Sequence, residues 1–219
     1  MGERSATSMA RHTAANDEGQ SISVYVRLRP LLAAGAEGQE PVFERGRTDD
    51  GSHFVREVGA SDVFPFTAVF DGEASNVELF KQIGQKTVEN ALEGFNATVF
   101  CYGQTGSGKT HTLTGTPTDP GIMGRASHHI FESIGKLTGE RQFLLRASYL
   151  EIYNERVFDL CAQRKELKLR FEGTCFRAAG LSETIVKSSA ELEALRQRGE
   201  QAKSMGVSNL NDHSSRSDL

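Results

Sequence analysis

The sequence predicts an α/β fold in which helices flank a mixed central sheet. A short apolar, β-prone run at residues 97–102 leads into a glycine-rich loop at residues 103–110, and a helical pattern follows. An amphipathic helical pattern also precedes that run and ends at Gly94. Because a helix, a buried strand, a loop and another helix follow one another, the chain has the alternation typical of a parallel or mixed sheet.

Composition limits the classes of protein to which the chain could belong. Its 219 residues, 37% of them apolar and 25% charged, suffice for one sizeable core of a globular protein. A net charge of −4 gives no support to a nucleic-acid or membrane-surface role. The three cysteines are too few and too widely spaced for a disulfide framework or a zinc site, and no apolar run is long enough to span a membrane. We therefore expect a cytosolic protein with neither membrane nor nucleic-acid partners.

The N-terminal part is expected to begin with a tail and continue into short strands. Residues 1–20 lack a periodic apolar pattern and predict a disordered tail, so the ordered domain is expected at residues 21–219. Alternation at residues 21–29 predicts a strand that Pro30 ends. Arg27 and Arg29 project from one face of that strand. They are either solvated or beside a nucleotide, and the pattern leaves both readings open.

Two capping boxes mark the starts of helices. Ser75 and Glu78 open a helix that runs to Gly94, and Ser188 with Glu191 opens another. Between them the pattern predicts a second helix ending near Leu137, a long strand at residues 142–153 and a hairpin whose turn lies at residues 172–173. Residues 114–121 hold two prolines and two glycines and predict a surface loop.

The glycine-rich loop fits the phosphate-binding pattern at every constrained position. Its glycines let consecutive backbone N–H groups point at a polyphosphate, and Lys109 and Thr110 supply a point charge and a hydroxyl for Mg²⁺. A chance match to an ordinary surface loop is the alternative, but strand, loop and lysine occur in the required order. We expect a nucleoside triphosphate on the loop residues Gly103, Gln104, Thr105, Gly106, Ser107, Gly108, Lys109 and Thr110.

The C-terminal segment is dense in hydroxyl groups. Taken alone, residues 211–217 predict a polar, fraying end of a helix. The resemblance described next changes that interpretation.

Five stretches in the expected order resemble those of a kinesin motor domain, and the resemblance covers residues 21–217. They are residues 26–30, 92–102, 103–110, 148–155 and 211–216. The resemblance implies a P-loop NTPase-type fold, the kinesin motor fold, and ATP hydrolysis coupled to movement on microtubules. It also implies that residues 168–179, the predicted hairpin, form a lesser microtubule contact.

Individual roles follow from the resemblance alone. It implies adenine contacts from Arg27, Pro30 and His111, and Mg²⁺ contacts from Thr110 and Ser215. Ser214 and Ser215 would sense the γ-phosphate, and Asn211 would help hold their loop closed. The implied catalytic set consists of Lys109, Asn211, Ser214, Ser215 and Arg216. In the family, the arginine at this position pairs with a glutamate.

The chain departs from the family's pattern near its end. The second switch of the family is not found, and Asp218 stands where the family usually has histidine. We therefore expect residues 21–219 to be a partial motor domain, truncated after the first switch (residues 211–216) and without the family's main microtubule-binding elements. Such a domain should bind nucleotide weakly and hydrolyse little ATP. The alternatives are an ATP-independent relic that binds tubulin or another partner, and an unrelated P-loop NTPase.

Overall fold

The computed structural model describes residues 22–30, 40–137 and 142–214, with side chains described up to residue 203. The contacts divide the chain into two compact units, Met1–Ala74 and Ser75–Leu219. The predicted tail at residues 1–20 lies outside the described residues, as do Ser215 and Arg216.

The first unit contains five short strands in two ladders. Strand β1 pairs in parallel with β5, and β2, β3 and β4 form an antiparallel meander. The strands are β1 (Tyr25–Arg27), β2 (Phe43–Arg47), β3 (His53–Glu57), β4 (Phe64–Phe66) and β5 (Ala68–Phe70). The strand predicted at residues 21–29 is confirmed but is shorter. Leu28 still donates to the carbonyl of Phe70 at 2.9 Å, and Pro30 has no N–H to continue the ladder.

Helices and antiparallel strands make up the second unit. The helices are α1 (Asn76–Leu79), a π-helical turn (Phe80–Gly84), α2 (Gln85–Leu92), α3 (Lys109–Leu113), α4 (Ile122–Lys136) and α5 (Ser189–Ser214). Within the described ranges, no helix combines the length and the apolar character needed to cross a membrane. The α/β class predicted from the sequence is confirmed.

In both predicted capping boxes the serine makes the expected bond to the first turn of the helix. The hydroxyl of Ser75 accepts from the N–H of Glu78 at 3.2 Å, and that of Ser188 accepts from the N–H of Glu191 at 3.1 Å. The carboxylate of Glu191 reaches back to the N–H of Lys187 at 2.8 Å. These bonds satisfy N–H groups that a helix start leaves without partners.

The strands of the second unit form two antiparallel ladders. Strand β6 (Leu145–Ala147) pairs with β11 (Thr184–Val186), and the other ladder has the order β10-β9-β8-β7. Its strands are β7 (Leu150–Tyr153), β8 (Arg156–Asp159), β9 (Lys165–Glu172) and β10 (Cys175–Ala179). The predicted hairpin is therefore confirmed. The single strand predicted at residues 142–153 is wrong, because its two halves pair with different partners and the chain breaks at Ser148 and Tyr149.

The strand predicted at residues 97–102 is also not found. Its side chains are largely exposed, with 74% of Phe100 and 95% of Tyr102 accessible to solvent. An apolar, β-prone run becomes a strand only where a neighbour supplies the other half of the hydrogen bonds. Among the described residues, no segment pairs with this run.

Candidate phosphate-binding site

Backbone geometry in the loop at residues 103–110 requires glycine at three positions. The φ angles of Gly103, Gly106 and Gly108 are 153°, 80° and 102°. These values lie in a region that side-chain-bearing residues rarely adopt. A Cβ atom on Gly103 would also lie 2.5 Å from the hydroxyl of Ser107. The loop therefore cannot keep its conformation if these glycines are replaced by larger residues.

Lys109 lies across this loop. Its ammonium group donates to the carbonyl oxygens of Gly103 and Gln104, at 2.7 and 2.8 Å. A phosphate oxygen is a stronger acceptor for an ammonium group than a carbonyl oxygen, because it carries charge. The lysine is therefore positioned on the loop at which a phosphate would be bound.

Helix α3 begins at Lys109, directly after the loop. Gly108 precedes it with no side-chain cap, and the first backbone bond runs from the N–H of Thr112 to the carbonyl of Gly108 at 2.9 Å. The helix has five residues. Thr110 and His111 lie on it with exposed side chains, so the hydroxyl of Thr110 is open to solvent beside the loop.

A buried residue that the sequence analysis missed holds this helix in place. Asn76 has no exposed surface, and its side-chain amide donates to the carbonyls of His111 at 3.2 Å and Asp119 at 3.3 Å. Arg125 supports the same region, because its guanidinium group contacts Asp119 at 2.8 Å and donates to the carbonyl of Pro120 at 2.8 Å. The predicted surface loop at residues 114–121 is therefore fixed to the phosphate-loop helix on one side and to α4 on the other.

The remaining predicted site residues come from other parts of the chain. Arg27 and Pro30 belong to the first unit, where Arg27 donates to the carbonyl of Ala74 at 2.7 Å. Pro30 packs against Gly72, on which a Cβ atom would lie 2.8 Å from the Cα of the proline. Asn211 and Ser214 lie in the last turn of α5, and their side chains are outside the described part, as are Ser215 and Arg216 entirely. Their roles stay predictions.

The residues of the loop fit a magnesium-bound triphosphate. Three glycines keep the backbone free of Cβ atoms, a lysine supplies charge and a threonine supplies an exposed hydroxyl. No group of three or more acidic, histidine or cysteine side chains that could hold a metal ion occurs among the described residues. Mg²⁺ bound with a nucleotide does not need such a group, because phosphates and water supply most of its ligands.

A concave region of about 250 Å³ is lined by residues of strands β7 and β8 and of the turns beside them, namely Tyr153, Asn154, Arg156, Phe158 and Arg164. The guanidinium carbon of Arg164 lies 4.1 Å from the ring centre of Phe158, and its Nε contacts Glu151 at 3.1 Å. Arg156 pairs with Glu166. Both guanidinium groups therefore have a carboxylate partner, and the cavity offers no unbalanced charge to a ligand.

Comparison with known proteins gives one consistent result. The profile of the kinesin motor domain matches residues 27–219. The chain is 43% identical over 155 residues to kinesin-like protein KIN-7N of Arabidopsis thaliana, an alignment that covers 69% of the chain and 19% of that relative. The chain therefore spans about a fifth of the relative's length.

Solved structures agree with the sequence comparison. One, described as the structure of a fast kinesin, is 33% identical with a TM-score of 0.78, over 87% of this chain and 55% of that one. A KIF14 dimer with AMP-PNP, in complex with a microtubule, is 27% identical with a TM-score of 0.71, over 83% of this chain and 54% of that one.

Proposed function

The chain belongs to the kinesin motor domain family and has the fold of that family, and from this premise we propose that it is an ATP-binding microtubule motor domain. In this proposal, hydrolysis of ATP is coupled to movement along microtubules. The chain spans just over half the length of the solved motors, so this coupled activity is a proposal.

One observation carries the nucleotide part of the proposal. The ammonium group of Lys109 lies on the loop's own carbonyls, while Gly103 and Gly108 hold the left-handed backbone that the loop needs. A γ-phosphate would accept from Lys109, and the hydroxyl of Thr110 would bind Mg²⁺. Mg²⁺ would neutralise the charge that develops on the phosphates during hydrolysis.

The other site residues take the roles that family membership suggests. Arg27, Pro30 and His111 contact the adenine. Asn211 and Ser214 lie at the end of α5, and Ser215 and Arg216 come directly after it in the sequence. In the proposal, Ser214 and Ser215 sense the γ-phosphate, and Ser215 also binds Mg²⁺. Asn211 helps hold the segment that carries these serines closed, and Arg216 forms an ion pair.

A basic hairpin supports a microtubule partner and hence a place on the microtubule cytoskeleton of the cytoplasm. Lys168 and Arg170 alternate along one face of β9. Arg177 of β10 lies directly opposite Arg170 and pairs with Glu172 at 3.1 Å, so the positive charge of this face comes from Lys168 and Arg170. Phe171 and Phe176 are exposed on the other face, with ring centres 5.2 Å apart. A chain with a net charge of −4 needs such a local basic patch to meet an acidic partner surface. The KIF14 structure contains a microtubule, which supports tubulin as the partner.

Co-sedimentation with microtubules tests the proposal. The protein is mixed with microtubules in ADP or in AMP-PNP, and the bound fraction is compared with that of a Lys109→Ala variant. A motor domain gives a bound fraction that depends on the nucleotide in the parent protein and not in the variant. Equal binding in both nucleotides, unchanged by the substitution, would instead support an ATP-independent binding module.

A further inference from the structure

The ring of Tyr149 packs against a glycine of helix α5. A Cβ atom on Gly199 would lie 2.2 Å from the Cδ1 atom and 2.7 Å from the Cε1 atom of the Tyr149 ring. The same Cβ atom would lie 3.3 Å from the Cβ of Leu160, whose side chain is buried. Only a residue without a side chain lets the helix approach the ring this closely.

The hydroxyl of Tyr149 makes a second contact one residue further along the helix. It donates a short hydrogen bond to the carboxylate of Glu200. Burial, and then this hydrogen bond, raise the pKa of Tyr149 above its ordinary value. The hydroxyl therefore keeps its proton at neutral pH and remains a donor. Ring packing against Gly199 and hydrogen bonding to Glu200 together fix both the rotation of the helix and its position along its axis.

This contact lies in the buried stripe of α5. Leu195, Gly199 and Ala202 are buried at i, i+4 and i+7 spacing, so they share one helix face. The start of the helix is fixed by the cap at Ser188. Beyond Ala202 the helix continues to Ser214, roughly 20 Å from Gly199 at about 1.5 Å per residue. A change in helix rotation at Gly199 would therefore be carried to the residues at its end.

We propose that Tyr149 is a positioning residue, which sets the rotation of α5 and thereby the orientation in which Asn211 and Ser214 meet the γ-phosphate. This inference rests on the proposed function, because it assumes that those residues sense ATP. Tyr149 does not touch the nucleotide in this account. It acts only through the helix.

Hydrogen exchange in the absence of nucleotide tests the structural half of the proposal, namely that Tyr149 fixes helix α5. In Tyr149→Phe, which removes only the hydroxyl, we expect the amides of residues 205–214 to exchange about three- to tenfold faster, as expected for loss of one hydrogen bond. Gly199→Ala should have the same or a larger effect. Gly135→Ala is the matched control, since Gly135 is also helical and has no atom within 4 Å of an added Cβ. Unchanged exchange in both Tyr149→Phe and Gly199→Ala, or faster exchange spread evenly over the whole protein, overturns the proposal.

The ratio of ATP to ADP affinity tests the functional half. With fluorescent analogues of the two nucleotides, Tyr149→Phe should lower the preference for ATP about threefold or more and leave ADP affinity within about twofold. A parent protein that binds neither nucleotide contradicts the proposed function, and the exchange experiment still decides the structural half. A parent protein that prefers ATP, with a preference that Tyr149→Phe leaves intact, contradicts the positioning role alone. Equal affinity of the parent protein for the ATP and ADP analogues would contradict the inference and leave the proposal of nucleotide binding intact.

Discussion

The side-chain amide of Asn76 donates to the backbone carbonyl of His111 at 3.2 Å, which ties the first residue of α1 to the helix that follows the phosphate loop. The same amide also reaches the carbonyl of Asp119 at 3.3 Å. A side chain with no exposed surface thus holds both the helix α3 and the loop after it. The glycine-rich loop is therefore supported, through helix α3, by a residue that lies outside it.

Replacing Asn76 with alanine should lower the free energy of unfolding by about 2 kcal/mol, because a fully buried side chain and its two hydrogen bonds to backbone carbonyls are lost. Urea denaturation measures the change. Asn90→Ala is the control, since the side chain of Asn90 is exposed on α2 and the variant should unfold close to the parent midpoint. Equal effects of the two substitutions would contradict the supporting role of Asn76.

The buried ion pair between Arg164 and Glu151 should matter far more than its exposed neighbour. Only 13% and 11% of the two side chains are accessible to solvent. Glu151→Ala should cost on the order of 3 kcal/mol, because it leaves the guanidinium group of Arg164 buried without a carboxylate. Arg156→Ala, which breaks the exposed pair with Glu166, should change stability little. Thermal unfolding of both variants checks this order. A larger loss of stability in Arg156→Ala than in Glu151→Ala would contradict the importance of the pair between Arg164 and Glu151.

Gly108→Ala should separate the strain of the loop from its function. The alanine must adopt a φ near the 102° of Gly108 at a cost of about 1–2 kcal/mol, and the loop should relax and bind nucleotide less tightly. Gly173→Ala, at φ 72° in the turn between β9 and β10, carries similar strain away from the loop. We expect both variants to lose stability and only Gly108→Ala to lose nucleotide affinity in a titration. Parallel losses of affinity would contradict a specific role for the loop.

Cys161 should react slowly with alkylating reagents. Burial is the main cause that raises the pKa of its thiol, so less of the reactive thiolate is present at pH 8 than for a free cysteine. Cys175 is exposed at the start of β10. Mass spectrometry after timed iodoacetamide treatment should find Cys175 labelled first, with Cys161 labelling rising steeply as the pH increases. Faster labelling of Cys161 would mean that its surroundings are open in solution.

Features set by short stretches of sequence could be predicted. The conformation of the phosphate loop follows from glycines within six residues of one another, and the starts of α1 and α5 follow from Ser75 and Ser188. Each of these depends on contacts between residues close in the chain, so a local pattern suffices to specify it.

Features set by distant partners could not be predicted. Asn76 bonds to residues 35 and 43 positions away, and nothing beside it in the sequence marks that partnership. Residues 97–102 have the composition of a strand but no ladder partner within the described ranges. The pairing of β6 and β7 with different strands divides a run that reads as one strand. Tyr149 likewise acquires its role only through Gly199, 50 positions later in the chain.

Calorimetric titration with Mg-ATP, comparing the parent protein with Lys109→Ala, tests whether the glycine-rich loop binds a nucleoside triphosphate through this lysine. Loss of a charge-assisted contact worth about 1.5–3 kcal/mol should weaken binding roughly ten- to a hundredfold. Lys86→Ala, on the exposed side of α2, is the matched control and should bind as the parent does. We expect heat of binding in the parent and control and a severe loss in Lys109→Ala. Equal binding by all three proteins, or none by the folded parent, would contradict it.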